Sequence, residues 1–311
     1  MLPKVTIAGV AGKEEIELTQ VTGEALGVPV VSVAPCGGGD INRAWKLGLG
    51  DGRTAFFKSR ADAPAGEFRA EAAGLHWLAE PAGLRVPEVL AVVDPPGRTG
   101  WRGLVLEWVE ASGSRAAGSR ELGRGLAIVH SAGAERHGAA APGSGRGEIR
   151  FGRAVMPAPG PGEVSFAEVY ASRVEALAAQ ALDRGAIDRD DAAVFTALAA
   201  GIDRFAGPEQ PPARLHGDLW SGNVMTGPDE RPWLIDPAAH GGHRELDLAM
   251  LELFGSPGAE FYAAYEEVSP LDPDRPERIK LWQVQPLLVH AILFGGHYGA
   301  AATTAARSYT R

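Results

Sequence analysis

Apolar positions in the first third of the chain come mostly in short β-branched or aromatic runs broken by turn residues, a pattern that predicts strands. Strands are expected at Val30 to Val33, Ala44 to Leu47, Thr54 to Lys58, Pro87 to Val93 and Gly103 to Val109. Asp51-Gly52 between the second and third is a hairpin signal. Only Pro64 to Glu80 changes period: Phe68, Ala72, Leu75 and Leu78 recur at spacings of three and four, so one helix is expected among the strands.

Beyond residue 110 the pattern loosens. Arg120 to His130 can form a helix, but Ser131 to Glu163 is dense in Gly, Ala, Pro and Ser, and the run from Pro157 to Gly162 cannot continue a regular element. That stretch reads either as a linker or as a substrate-facing loop. Phe166 to Leu182 and Asp190 to Phe205 have amphipathic helical spacing, residues 213–236 read as loop with short strands, and the chain is mainly helical from Leu246 onward. The expected fold class is α+β, with a small β-rich N-terminal lobe over residues 1–109 and a larger, mostly helical C-terminal lobe over 110–311.

Composition narrows the partners. The 311 residues are 45% hydrophobic and 22% charged, as in a globular protein that stays in water. A net charge of −9 argues against nucleic acid and against an anionic membrane surface, both of which want a basic stripe. With Cys36 as the single cysteine no intrachain disulfide can form. No apolar run approaches the ~18 residues of a membrane span, and the N-terminus lacks the apolar centre of a signal peptide, so a cytoplasmic protein, with nothing to demand an oligomer, is the expectation.

Candidate chemistry concentrates in His216-Gly217-Asp218-Leu219-Trp220-Ser221-Gly222-Asn223. An Asp followed five residues later by an Asn is the arrangement of a kinase catalytic loop, in which the Asp takes the proton of the attacking hydroxyl and the Asn holds magnesium. The short apolar run Trp233-Leu234-Ile235 then delivers Asp236, a second carboxylate fit to hold Mg2+ against phosphates. Upstream, Gly37-Gly38-Gly39 lies between two strands, where it is either a phosphate-covering turn or simply a flexible one. Lys58 ends an aromatic strand in a chain with five lysines against 25 arginines, and Glu71 on the following helix can pair with it to position ATP phosphates; a solvated strand-end lysine is the plainer alternative. The backbone around Glu107, Trp108 and Val109, where an apolar strand runs into the loose region, could receive adenine. His216 and Trp220 are candidate acceptor-site residues, Trp220 alternatively a core residue. Cys36, beside the glycines, reads better as a passive small residue than as a redox thiol.

At these residues the chain resembles the fructosamine kinase (ketosamine-3-kinase) family, a branch of the aminoglycoside and choline phosphotransferase-like kinases. The resemblance rests on His216 to Asn223, Ile235-Asp236-Pro237-Ala238, the block Gly242-His243-Arg244-Glu245-Leu246-Asp247-Leu248-Ala249-Met250, the tail Leu287 to Tyr298 and Leu106-Glu107-Trp108-Val109. It implies a protein-kinase-like bilobal fold and ATP- and Mg2+-dependent phosphorylation of the sugar part of a ketosamine or glycated amine, leading to deglycation. By the same resemblance Asp218 is the proton acceptor, Asn223 and Asp236 are the metal ligands, Lys58 and Glu71 the phosphate-positioning pair, and Asp247 a brace for the catalytic loop. Two departures stand out: Asp40 sits directly after the glycines, and the Gly-, Ala- and Pro-rich run replaces the aromatic and Asn-bearing segment expected after the helix ending near His130. Competing readings are a related phosphotransferase acting on an aminoglycoside or a choline-like alcohol, and a nucleotide-binding pseudokinase scaffold. Against the scaffold, Lys58, Asp218, Asn223 and Asp236 are all in place.

Overall fold

Lys13–Leu26 forms a helix (α1) ahead of the first strand. It was not expected from the sequence, because its buried stripe is only Leu18 and Thr22, one turn apart on an otherwise polar surface. The structure, a computed structural model, describes residues 12–37, 42–94, 101–112, 118–145, 147–160 and 164–310. Gly38, Gly39 and Asp40 lie outside the described residues.

Contacts divide the chain into two units, the first comprising Met1–His76, Pro87–Glu110 and Gly143–Gly145, the second Trp77–Val86, Ala111–Pro142 and Arg146–Arg311. In the first unit, β1 (Val30–Cys36), β2 (Arg43–Leu49), β3 (Thr54–Ser59), β4 (Val89–Val93) and β5 (Gly103–Glu107) form one antiparallel sheet in the order β1-β2-β3-β5-β4. Cys36 pairs with Ala44 across β1 and β2, so the glycine-bearing segment joins two neighbouring strands. Leu18, Trp45, Leu47, Phe57 and Val105 form the core between sheet and α1. The expected helix is α2 (Glu67–Ala79), and Phe68, Ala72, Leu75 and Leu78 are all buried, as their spacing requires.

The second unit is helical: α3 (Ser119–Ser131), α4 (Phe166–Asp183), α5 (Arg189–Ala200), α6 (Glu245–Leu253), α7 (Ala259–Glu266), α8 (Arg275–Phe294) and α9 (Tyr298–Arg307). The helix expected to reach Phe205 stops at Gly201, where a residue without a Cβ costs a helix about 1 kcal/mol, and a 3-10 turn follows over Ile202–Arg204. Tyr170, Phe195, Trp282 and Leu288 anchor the larger core. Leu78 and Leu84 pack with Leu122, Leu126 and Leu248 in a second.

The Gly-, Ala- and Pro-rich segment holds a hairpin of β6 (Glu148–Phe151) and β7 (Ala154–Pro157). Phe151 pairs with Ala154, so the loop is Gly152-Arg153, and Gly152 takes the positive φ of 55° that such a two-residue turn needs. Ile149 and Met156 pin it to the core. Two further strand pairs are short. β8 (Ala213–Leu215) pairs with β11 (His240–Gly242), and β9 (Val224–Thr226) with β10 (Pro232–Leu234). No helix among the described residues is long and apolar enough to cross a membrane.

Candidate active site

In the first unit, Lys58 is not a solvated strand end. It is 3% exposed on the second-to-last residue of β3 and forms an ion pair with Glu71 of α2. A flexible cation held by a carboxylate in a dry setting is a positioned charge rather than a surface one. At the end of β5, the Glu107 N–H donates to the Glu88 carbonyl (2.8 Å), so that amide is already engaged. Trp108 lies against Phe56 and carries the Lys46 ammonium 4.1 Å from its ring centroid. Cys36 is half-buried and burial pushes its thiol pKa up, which keeps it protonated and passive.

In the second unit the catalytic-loop residues converge. Asp218 accepts from the Asn223 side-chain amide twice, through its backbone carbonyl (2.8 Å) and through Oδ2 (3.1 Å). That commits Asn223 Nδ2 and leaves Oδ1 as its remaining ligand atom. The Asn223 carbonyl in turn accepts from the Ile235 N–H (3.0 Å), which ties the loop to the end of β10. The next residue, Asp236, has φ of 53°, a left-handed conformation that costs a non-glycine residue on the order of 1 kcal/mol and is kept where surroundings over-determine it.

His216 is placed differently from the acceptor-site role suggested for it. It is 1% exposed, and both ring nitrogens are used inside the loop. Nε2 donates to the Ile235 carbonyl (2.9 Å), while Nδ1 accepts from the Asp218 N–H (3.3 Å). Burial pushes its pKa down, so the ring stays neutral in that tautomer. One imidazole thus brackets the residues that precede and carry the two candidate carboxylates. The signal for this lay nineteen residues away, in the carbonyl of Ile235, and no local motif carries it.

Asp247, in the first turn of α6, accepts from the His216 N–H (2.7 Å, Oδ2) and the Gly217 N–H (2.9 Å, Oδ1), and Oδ2 also meets His130 Nε2 (3.2 Å). Burial alone would raise its pKa, but the His130 hydrogen bond and its neighbours hold it below the ordinary carboxylate value, so it remains an anion. Two residues earlier, fully buried Glu245 accepts from Arg278 (2.8 and 3.1 Å) and from Trp282 Nε1 (2.8 Å). The first turn of α6 therefore fixes both the catalytic loop and α8.

A pocket open at its mouth lies beside Asp218. Its wall includes Phe151 at the β6–β7 turn, His240, Leu246 and Met250, and Trp282, Gln285 and His290 of α8. Pro286, also in the wall, has no N–H, so the Trp282 carbonyl lacks its usual helical donor there. Apart from Asp218, sequence reasoning named none of these wall residues as acceptor contacts, though it did raise the 131–163 segment, which supplies Phe151, as a substrate-facing loop. Trp220 stands outside the wall. It is half-buried, its ring covers Gly222 and meets Phe254 edge-on (5.9 Å, 68°), and Phe254 meets His290 (5.0 Å).

The residues fit a magnesium ion carried by a nucleotide. Among the described residues no cluster of three or more His, Cys, Asp or Glu is arranged to hold a metal alone. One amide oxygen and one carboxylate are the donors expected for Mg2+ whose other ligands are phosphate oxygens and water.

Comparison with known proteins bears on the family and the fold. The family model described as "Fructosamine kinase" matches residues 15–310. A relative in Synechocystis sp., named "Probable ketoamine kinase", is 33% identical over 269 residues, covering 84% of each chain. The crystal structure of a candidate fructosamine-3-kinase from Thermobifida fusca superposes with a TM-score of 0.82 at 38% identity, covering 94% of this chain and 98% of that one. More distantly, an aminoglycoside phosphotransferase solved as a ternary complex with ADP and hygromycin B matches with a TM-score of 0.61 at 16% identity over 95% of this chain and 98% of that one, which establishes the protein-kinase-like fold and no more. With a family model matched from residue 15 to residue 310, the chain belongs to the fructosamine kinase family and is a kinase of the protein-kinase-like fold.

Proposed function

We propose that the protein transfers the γ-phosphoryl group of ATP to a sugar hydroxyl of a ketosamine, the step that starts removal of the sugar from a glycated amine. The observation that carries this reading is the placement of Asp218 in the wall of an open pocket that also presents aromatic, aliphatic and uncharged polar side chains, the mixture that packs sugar C–H faces and binds hydroxyls. A cationic aminoglycoside calls for an acidic wall. Here the carboxylates are Asp218 and Asp247, and Asp247 already spends both oxygens on the catalytic loop.

The contacts support the following division of labour. Asp218, steadied by the Asn223 amide, accepts the hydroxyl proton as the oxygen attacks phosphorus in line with the leaving ADP oxygen. Lys58, held by Glu71, neutralises charge on the α- and β-phosphates. Asn223 Oδ1 and the Asp236 carboxylate would hold Mg2+, which screens the phosphate oxygens. Gly37, Gly38 and Gly39 offer amides to the phosphates, and the backbone from Glu107 to Val109 receives adenine. Trp220 acts on the acceptor side through Phe254 and His290. A cytoplasmic location, where ATP and small glycated amines are both available, accords with this chemistry.

The test is ATP turnover by the purified protein across a panel of ketosamines, ribulosamines, aminoglycosides and choline. The reading expects the highest kcat/KM on a ketosamine. A higher value on an aminoglycoside or on choline would reassign the acceptor while leaving the kinase in place.

A further inference from the structure

Two buried polar atoms in the pocket wall lack partners. Gln285 Oε1 and His240 Nε2 accept no hydrogen bond from any described residue, and their side chains are 5% and 1% exposed. Leaving a buried acceptor unmatched costs about 1–3 kcal/mol, so such atoms are expected where a ligand supplies the missing donor. Both residues line the pocket that holds Asp218.

The histidine can only accept. Its Nδ1 lies 2.8 Å from the Ala238 carbonyl, which has no proton to give, so Nδ1 carries the hydrogen and Nε2 presents a lone pair. Burial, with help from the nearby Arg173 charge, drives its pKa down to about 3, so Nε2 stays unprotonated at neutral pH. His290 repeats the arrangement: Nδ1 faces the Pro286 carbonyl at 2.7 Å, leaving Nε2 as the acceptor in the same wall. The His240 ring also packs against the catalytic loop, since a Cβ on Gly217 would lie 2.8 Å from its Nδ1. The His240 ring is therefore seated beside the turn that presents Asp218.

We propose that His240 Nε2 and Gln285 Oε1 are specificity-determining acceptors that each receive a hydrogen bond from a non-transferred hydroxyl of the acceptor sugar. The proposal rests on the ketosamine reading and says how that sugar is recognised. A site built this way discriminates against analogues whose hydroxyl is replaced by a group that cannot donate, because the buried lone pair is then left unmatched.

The experiment compares the parent, His240→Phe and Gln285→Met on a ketosamine (1-amino-1-deoxyfructose) and on its deoxyfluoro analogues at each non-transferred position. Fluorine keeps the size and lone pairs but has no proton to donate. Each variant is expected to raise KM for the ketosamine roughly five- to tenfold, the worth of one such hydrogen bond, with KM for ATP held. For each variant, one deoxyfluoro analogue should lose as much with the parent and lose nothing further with the variant. Equal losses on every analogue, or a KM for ATP that rises in step, would mean that the residue only supports the fold and would overturn the proposal. Should His240→Phe fail to fold, Gln285→Met alone decides, since the same pairing of variant and analogue is required of it. A parent that turns over no ketosamine contradicts the proposed function itself, an outcome distinct from an active parent whose variants ignore the fluorine.

Discussion

Asp247 holds Gly217 in place through a hydrogen bond of 2.9 Å from the Gly217 N–H to Oδ1, while its other oxygen accepts from the His216 N–H. Gly217 has φ of 85°, and a Cβ there would lie 2.2 Å from the Ala238 carbonyl oxygen, so the turn that presents Asp218 needs both a glycine and an anchored anion. Asp247→Asn keeps the shape but replaces one accepting oxygen with a donor group facing an N–H. It is expected to cost about 1–3 kcal/mol of stability and to lower turnover with little change in KM for ATP. Urea denaturation and steady-state kinetics on one preparation check this. Full turnover in the variant would remove the brace from the mechanism.

Lys58 and Glu71 form a buried ion pair in the first unit. Lys58→Ala leaves Glu71 without its cation and removes a charge from the phosphates. Turnover should fall on the order of 10²-fold, the scale for losing a preorganised charge contact, with KM for ATP raised and KM for the acceptor little changed. Kinetics matching the parent would exclude Lys58 from nucleotide positioning.

The Trp220 ring covers Gly222 so closely that a Cβ there would sit 2.2 Å from Cη2. Gly222→Ala must displace that ring, and with it Phe254 and the pocket-lining His290. The expected signature is a raised KM for the acceptor, several-fold larger than any change for ATP, and Trp220→Ala should share it. Equal effects on both substrates, with lost stability, would assign Trp220 to packing alone.

Two buried histidines should make the protein acid-sensitive well above the carboxylate range. Burial lowers the folded-state pKa of His240 to about 3 and of His243 to about 4, against about 6.5 in an unfolded chain. Between those values the unfolded state binds more protons, so stability falls as pH drops below about 6.5, by roughly 1.4 kcal/mol per pH unit for each histidine. His243 stacks on Trp282 (5.5 Å, 28°), so His243→Phe preserves a ring there without a titrating group. Urea denaturation between pH 6.5 and pH 5 should give a shallower slope for the variant by about that amount. Parallel slopes would mean that His243 protonates without unfolding.

How far the sequence could be read depended on the range of each signal. The 216–223 loop was legible as one unit because Asp218 and Asn223 lie five residues apart and bond each other directly, and Asp236 follows just after the short strand β10. The strands from Val30 to Glu107 were legible because their apolar runs are short and bounded by turns. The pocket wall was not, because Phe151, His240 and Gln285 come from a hairpin, a three-residue strand and a long helix that no local spacing links. His216 was misjudged for the same reason: polar and next to Asp218, it looks like a substrate contact until the Ile235 carbonyl appears opposite its Nε2. The β6–β7 hairpin was hidden in a Gly-rich composition, although Phe151-Gly152-Arg153-Ala154 carries its turn.

The central claim is that Asp218 serves as the proton acceptor for phosphoryl transfer to a ketosamine hydroxyl. The most direct measurement is single-turnover transfer from ATP to a ketosamine by the parent and by Asp218→Asn, with Mg-ATP binding measured in parallel. The Asn side chain keeps the size and one accepting oxygen for the Asn223 amide but cannot take a proton. The account predicts Mg-ATP binding close to that of the parent and transfer slower by on the order of 10²-fold or more, the scale of losing a general base. Transfer at the parent's rate by Asp218→Asn, with the ketosamine product verified, would contradict it and move the base to another group.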